Sequence, residues 1–302
     1  MTNCATANPL WAAKSGKRIS ELHPCFSIGR KNAKGRIHLP VSPGCNIRCR
    51  FCSHAINGWE DRPGVTSGII TPAEAIERVR AALRASDNLT VAGIAGPGDT
   101  LASPYALETF RRIRREFPEL ILCLSTNGLT LPEHVDELAD IGVETLTVTV
   151  NDIDPVRLTK LCDGIVLDGV ALKGVDAMEQ LITNQLNGIR LAVDKGILVK
   201  VNTVLVPSIN GEHIAGIARK VAEAGASLYN IIPLIPNALL SDEPIPTCVQ
   251  IDAARRSAEE FITVFRHCQH CRADAIGVPG EKDIGIDLGF RRVAVTETFS
   301  HG

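Results

Sequence analysis

The sequence has almost no charge imbalance: 32 lysines and arginines face 34 aspartates and glutamates, a formal net charge of −2. Nothing in that balance argues for a nucleic-acid partner or an anionic membrane surface. No apolar run approaches the roughly 18 residues that a membrane span needs. The first residues carry no apolar signal core, so neither secretion nor membrane insertion is expected. Low-complexity segments are also lacking. What is there is a 302-residue chain, 45% apolar and 22% charged, enough to bury a substantial core in one large domain or two small ones. Ten cysteines in such a chain are expected as metal ligands or reactive thiols rather than disulfides, in a reducing cytoplasm.

The apolar pattern is regular from residue 37 onward. Thr71-Pro72-Ala73-Glu74 is a helix start with cap, proline at the first position and capping-box glutamate, followed by an apolar face of Ala75, Ile76, Val79 and Leu83. A short strand at 89–95 follows, then a helix carrying Leu107, Phe110 and Ile113, a strand at 120–124, a helix at 132–141 and a strand at 145–150. The pattern continues with a long helix near 175–195, a strand at 197–205, a helix at 211–224 and a strand at 228–232. Gly142, Gly196 and Gly225 sit just past three of these helices, where a left-handed cap wants glycine. Helices alternating with short apolar strands imply βα units, a parallel sheet and right-handed crossovers. Six units fit between Ile37 and Pro236, which predicts an α/β fold: an open, partial (βα)6 TIM-like barrel. Residues 1–36 are read as an N-terminal extension, and 237–302 as a C-terminal one with a helix at 250–265.

The chemistry centres on Cys45-Asn46-Ile47-Arg48-Cys49-Arg50-Phe51-Cys52, at the end of the first apolar run. Three thiols spaced C-x3-C-x2-C can hold three irons of a small cluster and leave the fourth open, whereas iron–sulfur clusters normally take four cysteines. The bland alternative is a zinc knuckle, which wants four nitrogen or sulfur ligands, usually as two close pairs. The spacing, with an aromatic before the last cysteine, resembles the signature of the radical S-adenosylmethionine (SAM) superfamily. That resemblance implies a partial barrel, a [4Fe–4S] cluster on Cys45, Cys49 and Cys52, and SAM on the open iron, cleaved to a 5′-deoxyadenosyl radical.

In a parallel βα array the loops after the strands carry the ligands. Here they are 45–52, Gly96-Pro97-Gly98-Asp99 and Ser125-Thr126-Asn127-Gly128. Glycine at 96 and 98 lets backbone approach a ligand. By analogy with the superfamily this loop offers backbone groups to the methionyl amine of SAM, although a tight turn would look the same. Asn127 and Asn202 are candidate SAM contacts; each also fits as a cap or turn residue. Cys268-x2-Cys271 alone fits a redox dithiol, a zinc half-site or a cluster half-site. Cys25, Cys123 and His38 are its candidate partners, though spacing alone reads His38 as a hydrogen-bonded core histidine. Cys4, Cys162 and Cys248 have no motif around them and are read as ordinary thiols.

Longer stretches are similar to one family within that superfamily, NifB. They include His23-Pro24-Cys25-Phe26-Ser27, Gly35-Arg36-Ile37-His38-Leu39-Pro40-Val41, Gly93-Ile94-Ala95-Gly96-Pro97-Gly98-Asp99, Leu198-Val199-Lys200-Val201-Asn202 and Cys268-Gln269-His270-Cys271-Arg272-Ala273-Asp274. The resemblance implies a maturase that fuses two [4Fe–4S] substrate clusters, with a carbide derived from SAM, into a nitrogenase-type cofactor precursor. It implies that Cys25, Cys123, Cys268 and Cys271 hold the substrate clusters with His38 as nitrogen ligand, and that Glu60 is a carboxylate near the active site. A cluster donor, a reductant and a cofactor carrier or client reductase are the expected partners. Two departures stand out. Ser53-His54-Ala55-Ile56-Asn57-Gly58 lacks a cysteine that the family has there, and Ile28-Gly29-Arg30-Lys31-Asn32 replaces an acidic, histidine-bearing segment. His54 is a candidate replacement ligand or simply an exposed loop residue. Two other readings fit the motifs: a radical SAM enzyme with a different substrate, and a non-catalytic cluster scaffold.

Overall fold

The computed structural model describes residues 14–27 and 33–291. Cys4 and segment 28–32, both singled out above, lie outside the described residues. The N-terminal arm contains helix α1 (Lys14–Leu22) and leads to strand β1 (Gly35–His38). Strand β2 (Ile47–Cys49) lies inside the cysteine loop. Helix α2 (Pro72–Ala85) begins where its capping box requires: Thr71 Oγ1 accepts from Glu74 N, and the Glu74 carboxylate accepts from Thr71 N at 2.7 Å.

The alternation then runs as expected: β3 (Leu89–Ile94), α3 (Tyr105–Glu116), β4 (Ile121–Thr126), α4 (Leu131–Ile141) and β5 (Thr145–Thr149). Gly142 closes α4 with φ of 83°, a left-handed conformation that costs glycine nothing. A short helix α5 (Pro155–Leu158) and a hairpin, β6 (Cys162–Leu167) and β7 (Val170–Leu172), precede α6 (Val175–Asp194). The chain continues through β8 (Leu198–Leu205), α7 (Ile214–Glu223), β9 (Leu228–Pro233), α8 (Cys248–Glu259), β10 (Ile276–Gly277) and α9 (Ile284–Asp287). The expected helix at 211–224 opens as one 3-10 turn, Gly211–His213. The expected helix at 250–265 is displaced. A second capping box, Thr247 with Gln250, starts it at Cys248, and it ends at Glu259 because residues 263–265 leave to bond the sheet edge.

The main sheet has the order β10-β1-β3-β4-β5-β8-β9. Its six strands from β1 to β9 are parallel and sequential, so this is an α/β, partial (βα)6 barrel; β10 pairs antiparallel to β1. Alternate residues face opposite sides of the sheet. Outward ones, such as Ala92, Leu122, Leu146, Val199 and Val201, join the helices in the main core. Inward ones form layers. At the barrel's base Val91, Ile121, Leu198 and Leu228 pack with Ile19 of α1 and Phe26, which plug that end. One step up each strand the inward positions are Gly93, Cys123, Thr147 and Lys200, and they are open to a cavity.

Both edges of the open barrel are covered by the C-terminal segment. Residues 263–265 run along β9, with Tyr229 N donating to Thr263 O at 2.9 Å and Phe265 N to Tyr229 O at 2.7 Å, while β10 covers β1. Such coverage removes unpaired strand edges. It also carries residues 266–275, including Cys268 and Cys271, across the barrel's open side. No helix among the described residues is long and apolar enough to cross a membrane.

Candidate metal centre

One cavity of about 340 Å³ lies in the barrel above the Ile121–Leu228 layer. Cys45, Cys49 and Cys52 line it from the loop after β1, Cys123 from β4, Cys25 from the N-terminal arm, and Cys268 and Cys271 from the segment spanning the open side. His38, Gly96, Gly98, Asp99, Asn127 and Asn202 line it as well. Glu60 does not. Its carboxylate accepts from Asn57 Nδ2 at 2.7 Å and from Arg62 Nε at 2.5 Å, and it is Arg62 that reaches the lining. The Arg62 guanidinium holds the Glu60 carboxyl below its ordinary range. All nine described cysteines are free.

The cysteine loop is tied down on three sides. β2 pairs with β6, so Ile47 faces Ile165 and Cys49 faces Cys162. On a second side, Asn127 Nδ2 donates to Asn46 Oδ1 at 2.6 Å and lies 3.7 Å from the Cys45 sulfur. On the third, Gly98 N donates to Ser42 O at 2.9 Å and Asp99 N to Gly44 O at 2.8 Å. A Cβ at Gly98 would lie 1.9 Å from Gly44 O, so only glycine permits this approach. The Gly98 and Asp99 amides are therefore already paired. Asp99 is buried and accepts from Asn127 N at 2.5 Å, Leu101 N at 2.9 Å and Thr126 Oγ1 at 3.0 Å. It staples the loop after β3 to the loop after β4. Asn202 Oδ1 accepts from Asn230 Nδ2 at 3.1 Å.

The electrostatics suit a soft metal group rather than bare thiolates. Burial pushes Cys45 up to about 11, with Asp99 adding to it, and pushes Cys49 well above the ordinary thiol range. Cys52 differs: burial would raise it, but the hydrogen bond to His54 prevails and lowers it. The same bond raises His54, whose ring lines the cavity. Cys25 is pushed up to about 12 by burial and by the nearby thiols of Cys271, Cys123 and Cys268, with Lys200 opposing. All four thiols line the same cavity. Bringing them together ionised needs positive charge, which bound metal provides.

His38 is set up as a neutral nitrogen ligand. Its Nδ1 lies 2.8 Å from the Arg272 carbonyl oxygen, which can only accept, so Nδ1 carries the proton and Nε2 keeps its lone pair. Burial and Arg36 lower its pKa to about 4. A Cβ at Gly93 would sit 3.1 Å from His38 Cδ2, so this glycine makes room for the ring. His23 also lines the cavity; its Nδ1 accepts from Cys25 N at 3.1 Å, which leaves the buried Nε2–H without a partner. No group of three or more His, Cys, Asp or Glu side chains among the described residues is arranged around a single metal ion. The fit therefore rests on the donor set: seven thiols and one neutral imidazole around one cavity, which suits cluster chemistry.

The radical SAM superfamily pattern matches residues 39–221. The FeMo cofactor biosynthesis protein NifB of Methanocaldococcus infernus is 41% identical over 268 residues, covering 88% of each chain. Its counterpart from Klebsiella pneumoniae is 42% identical over 267 residues, 86% of this chain and 57% of that one. The chain belongs to the NifB family of radical SAM enzymes. Membership in the radical SAM superfamily implies a [4Fe–4S] cluster and SAM. Solved structures agree on the fold alone. Native anSMEcpe with bound AdoMet and Cp18Cys peptide gives a TM-score of 0.53 at 14% identity, over 76% of this chain and 62% of that one. Methylornithine synthase (PylB) gives 0.50 at 13% identity, over 87% and 72%.

Three contributors to the site escaped the sequence reading. Cys162, taken as an ordinary thiol, is the buried cross-strand partner of Cys49. Arg272 orients His38 through its carbonyl. Lys200 is a lysine inside an apolar strand, two residues before Asn202 and on the same face. That alternation was the available signal.

Proposed function

We propose that the chain is a NifB-type maturase in nitrogenase cofactor biosynthesis, fusing two [4Fe–4S] substrate clusters with a SAM-derived carbon into a cofactor precursor. The observation that carries the reading is the single cavity lined by Cys45, Cys49 and Cys52 together with Cys25, Cys123, Cys268, Cys271 and His38. The second set of thiols and His38 beside the first three favours this reading over a radical SAM enzyme acting on a small organic substrate.

The placement of these residues supports the following roles. Cys45, Cys49 and Cys52 would hold the [4Fe–4S] cluster, which would supply the electron for SAM cleavage. The loop after β3 contributes carbonyl oxygens, its Gly98 and Asp99 amides being engaged, and carbonyls are the partners that an amine on SAM requires. Asn127 and Asn202 face the same space as further polar contacts. Cys25, Cys123, Cys268, Cys271 and the Nε2 of His38 receive the substrate clusters. Glu60 acts from behind Arg62 and reaches the reacting groups only if that ion pair rearranges. When bound, SAM would supply the methyl carbon and the radical chemistry, with S-adenosylhomocysteine and 5′-deoxyadenosine as its products. The partners are a cluster donor, a low-potential reductant, and a carrier or client reductase for the product.

The test is an assay of SAM products from anaerobically reconstituted, reduced chain. S-adenosylhomocysteine and 5′-deoxyadenosine together are the expected result. Deoxyadenosine alone would point to a radical SAM enzyme with another substrate, and neither product to a scaffold.

A further inference from the structure

Lys200 is the third residue of β8, between Val199 and Val201, whose side chains are buried in the core. Strand alternation turns it the other way, into the barrel, where it is 6% exposed and lines the cavity. Its Nζ donates to the Cys25 carbonyl oxygen at 3.2 Å and lies 5.1 Å from the Phe26 ring centroid and 5.2 Å from that of Phe265. Among the described residues no carboxylate pairs with it; every ion pair found involves other groups. A buried ammonium held by one carbonyl and two ring faces is only partly compensated. A negatively charged group in the cavity would complete that compensation.

The surroundings narrow down which anion. Lys200 sits close enough to Cys25, Cys123, His23 and His38 for its charge to act on all four. In the same corner His23 Nε2 is a buried donor without an acceptor. An unpaired cation and an unpaired N–H, beside thiols, match an iron–sulfur cluster. A [4Fe–4S]2+ core held by two thiolates and a neutral imidazole is neutral when oxidised and gains a negative charge on reduction, and its sulfides accept hydrogen bonds.

We propose that Lys200 is a positioning residue: its ammonium is the built-in counter-charge for a substrate cluster held at the Cys25–Cys123–His38 corner, and it raises that cluster's reduction potential. This rests on the reading that the cavity takes substrate clusters. Reduction adds an electron to the cluster, so a fixed positive charge beside it favours the reduced state. Removing the charge makes reduction harder.

The experiment uses the full chain carrying C45A/C49A/C52A, which has no SAM cluster, so that only the remaining clusters are seen. Iron per chain and an EPR-monitored redox titration are compared for Lys200, K200R and K200M, with K200Q as the uncharged variant if K200M fails to fold. With the charge gone, either about four irons are lost, one cluster's worth, or the reduction equilibrium falls at least ten-fold, about 59 mV lower for one electron. K200R is expected within two-fold of Lys200. Unchanged iron and potential in the uncharged variant would overturn the proposal, as would an equal shift in K200R, because size rather than charge would then be responsible. A variant that keeps both properties but, in the chain with its SAM cluster intact, loses affinity for SAM would overturn it too, placing the ammonium on the methionyl carboxylate. If the C45A/C49A/C52A chain with Lys200 in place binds no cluster at all, the cluster-fusion reading fails first and this proposal with it.

Discussion

Arg272 and Asp274 show how much of the site rests on side chains that touch no ligand. The guanidinium donates to Asp274 at 2.9 and 3.1 Å, to Asn57 O at 2.8 Å and to Ser67 Oγ at 3.2 Å, and also to Glu60 O. Asp274 further accepts from Ser67 N at 2.6 Å. Both side chains are almost fully buried, at 2% and 1% exposure, so removing one charge strands the other. D274N is expected to cost about 3–5 kcal/mol, read by urea denaturation. Burial alone would raise the Asp274 carboxyl, but Arg272 and Ser67 prevail and lower it from 3.8. Its contribution is therefore complete above the ordinary carboxylate pKa and is lost as pH falls through the lowered value. The stability gap between the native chain and D274N should narrow in that acid window and stay constant above it. Gly98 makes the second residue-scale prediction. With 1.9 Å between the added Cβ and Gly44 O, G98A should displace the cysteine loop and lose about four irons. G68A, whose Cβ would meet nothing within 4 Å, should stay within about 0.5 kcal/mol of native stability and keep its iron.

At the scale of elements, the six βα units were legible because each carries local signals. Examples are the Thr71–Glu74 box and Gly142 at the left-handed cap of α4. The β6–β7 hairpin was not legible. Its partner β2 is three residues long and lies inside a motif read as a ligand loop, so pairing Ile47 with Ile165 is a tertiary fact with no local period to announce it. The start of α8 at Cys248 could have been read from Thr247 and Gln250, whereas its end at Glu259 is set by pairing with β9, not by a glycine or proline. The hairpin braces the cysteine loop, which yields a prediction at this scale. Ile165 is 2% exposed and packs with Ile47, Leu158 and Leu161. I165A should cost about 2–5 kcal/mol and speed loss of the SAM cluster to a chelator. Chelation as slow as in the native chain would mean that the brace does not hold the loop.

Over the whole molecule, motifs scattered between residues 23 and 274 converge because strand alternation and the C-terminal crossing point them into one barrel. The sequence alone singled out the cysteines and His38 that line this cavity, and the parallel array explained why loops after strands share a mouth. It did not show that 266–275 closes the barrel's open side, because the anchors are a two-residue strand and a single bridge. Nor did it show Glu60 standing outside the lining, which depends on the Asn57–Arg62 contacts. The central claim is that this one cavity holds a SAM-binding cluster and substrate clusters at the same time. Iron and acid-labile sulfide per chain after anaerobic reconstitution test it most directly. The account predicts about twelve irons, or about eight if the loop at Ser53–Gly58 has lost one cluster, at four per cluster. About four irons, or a zinc ion bound to Cys45, Cys49 and Cys52, would contradict it.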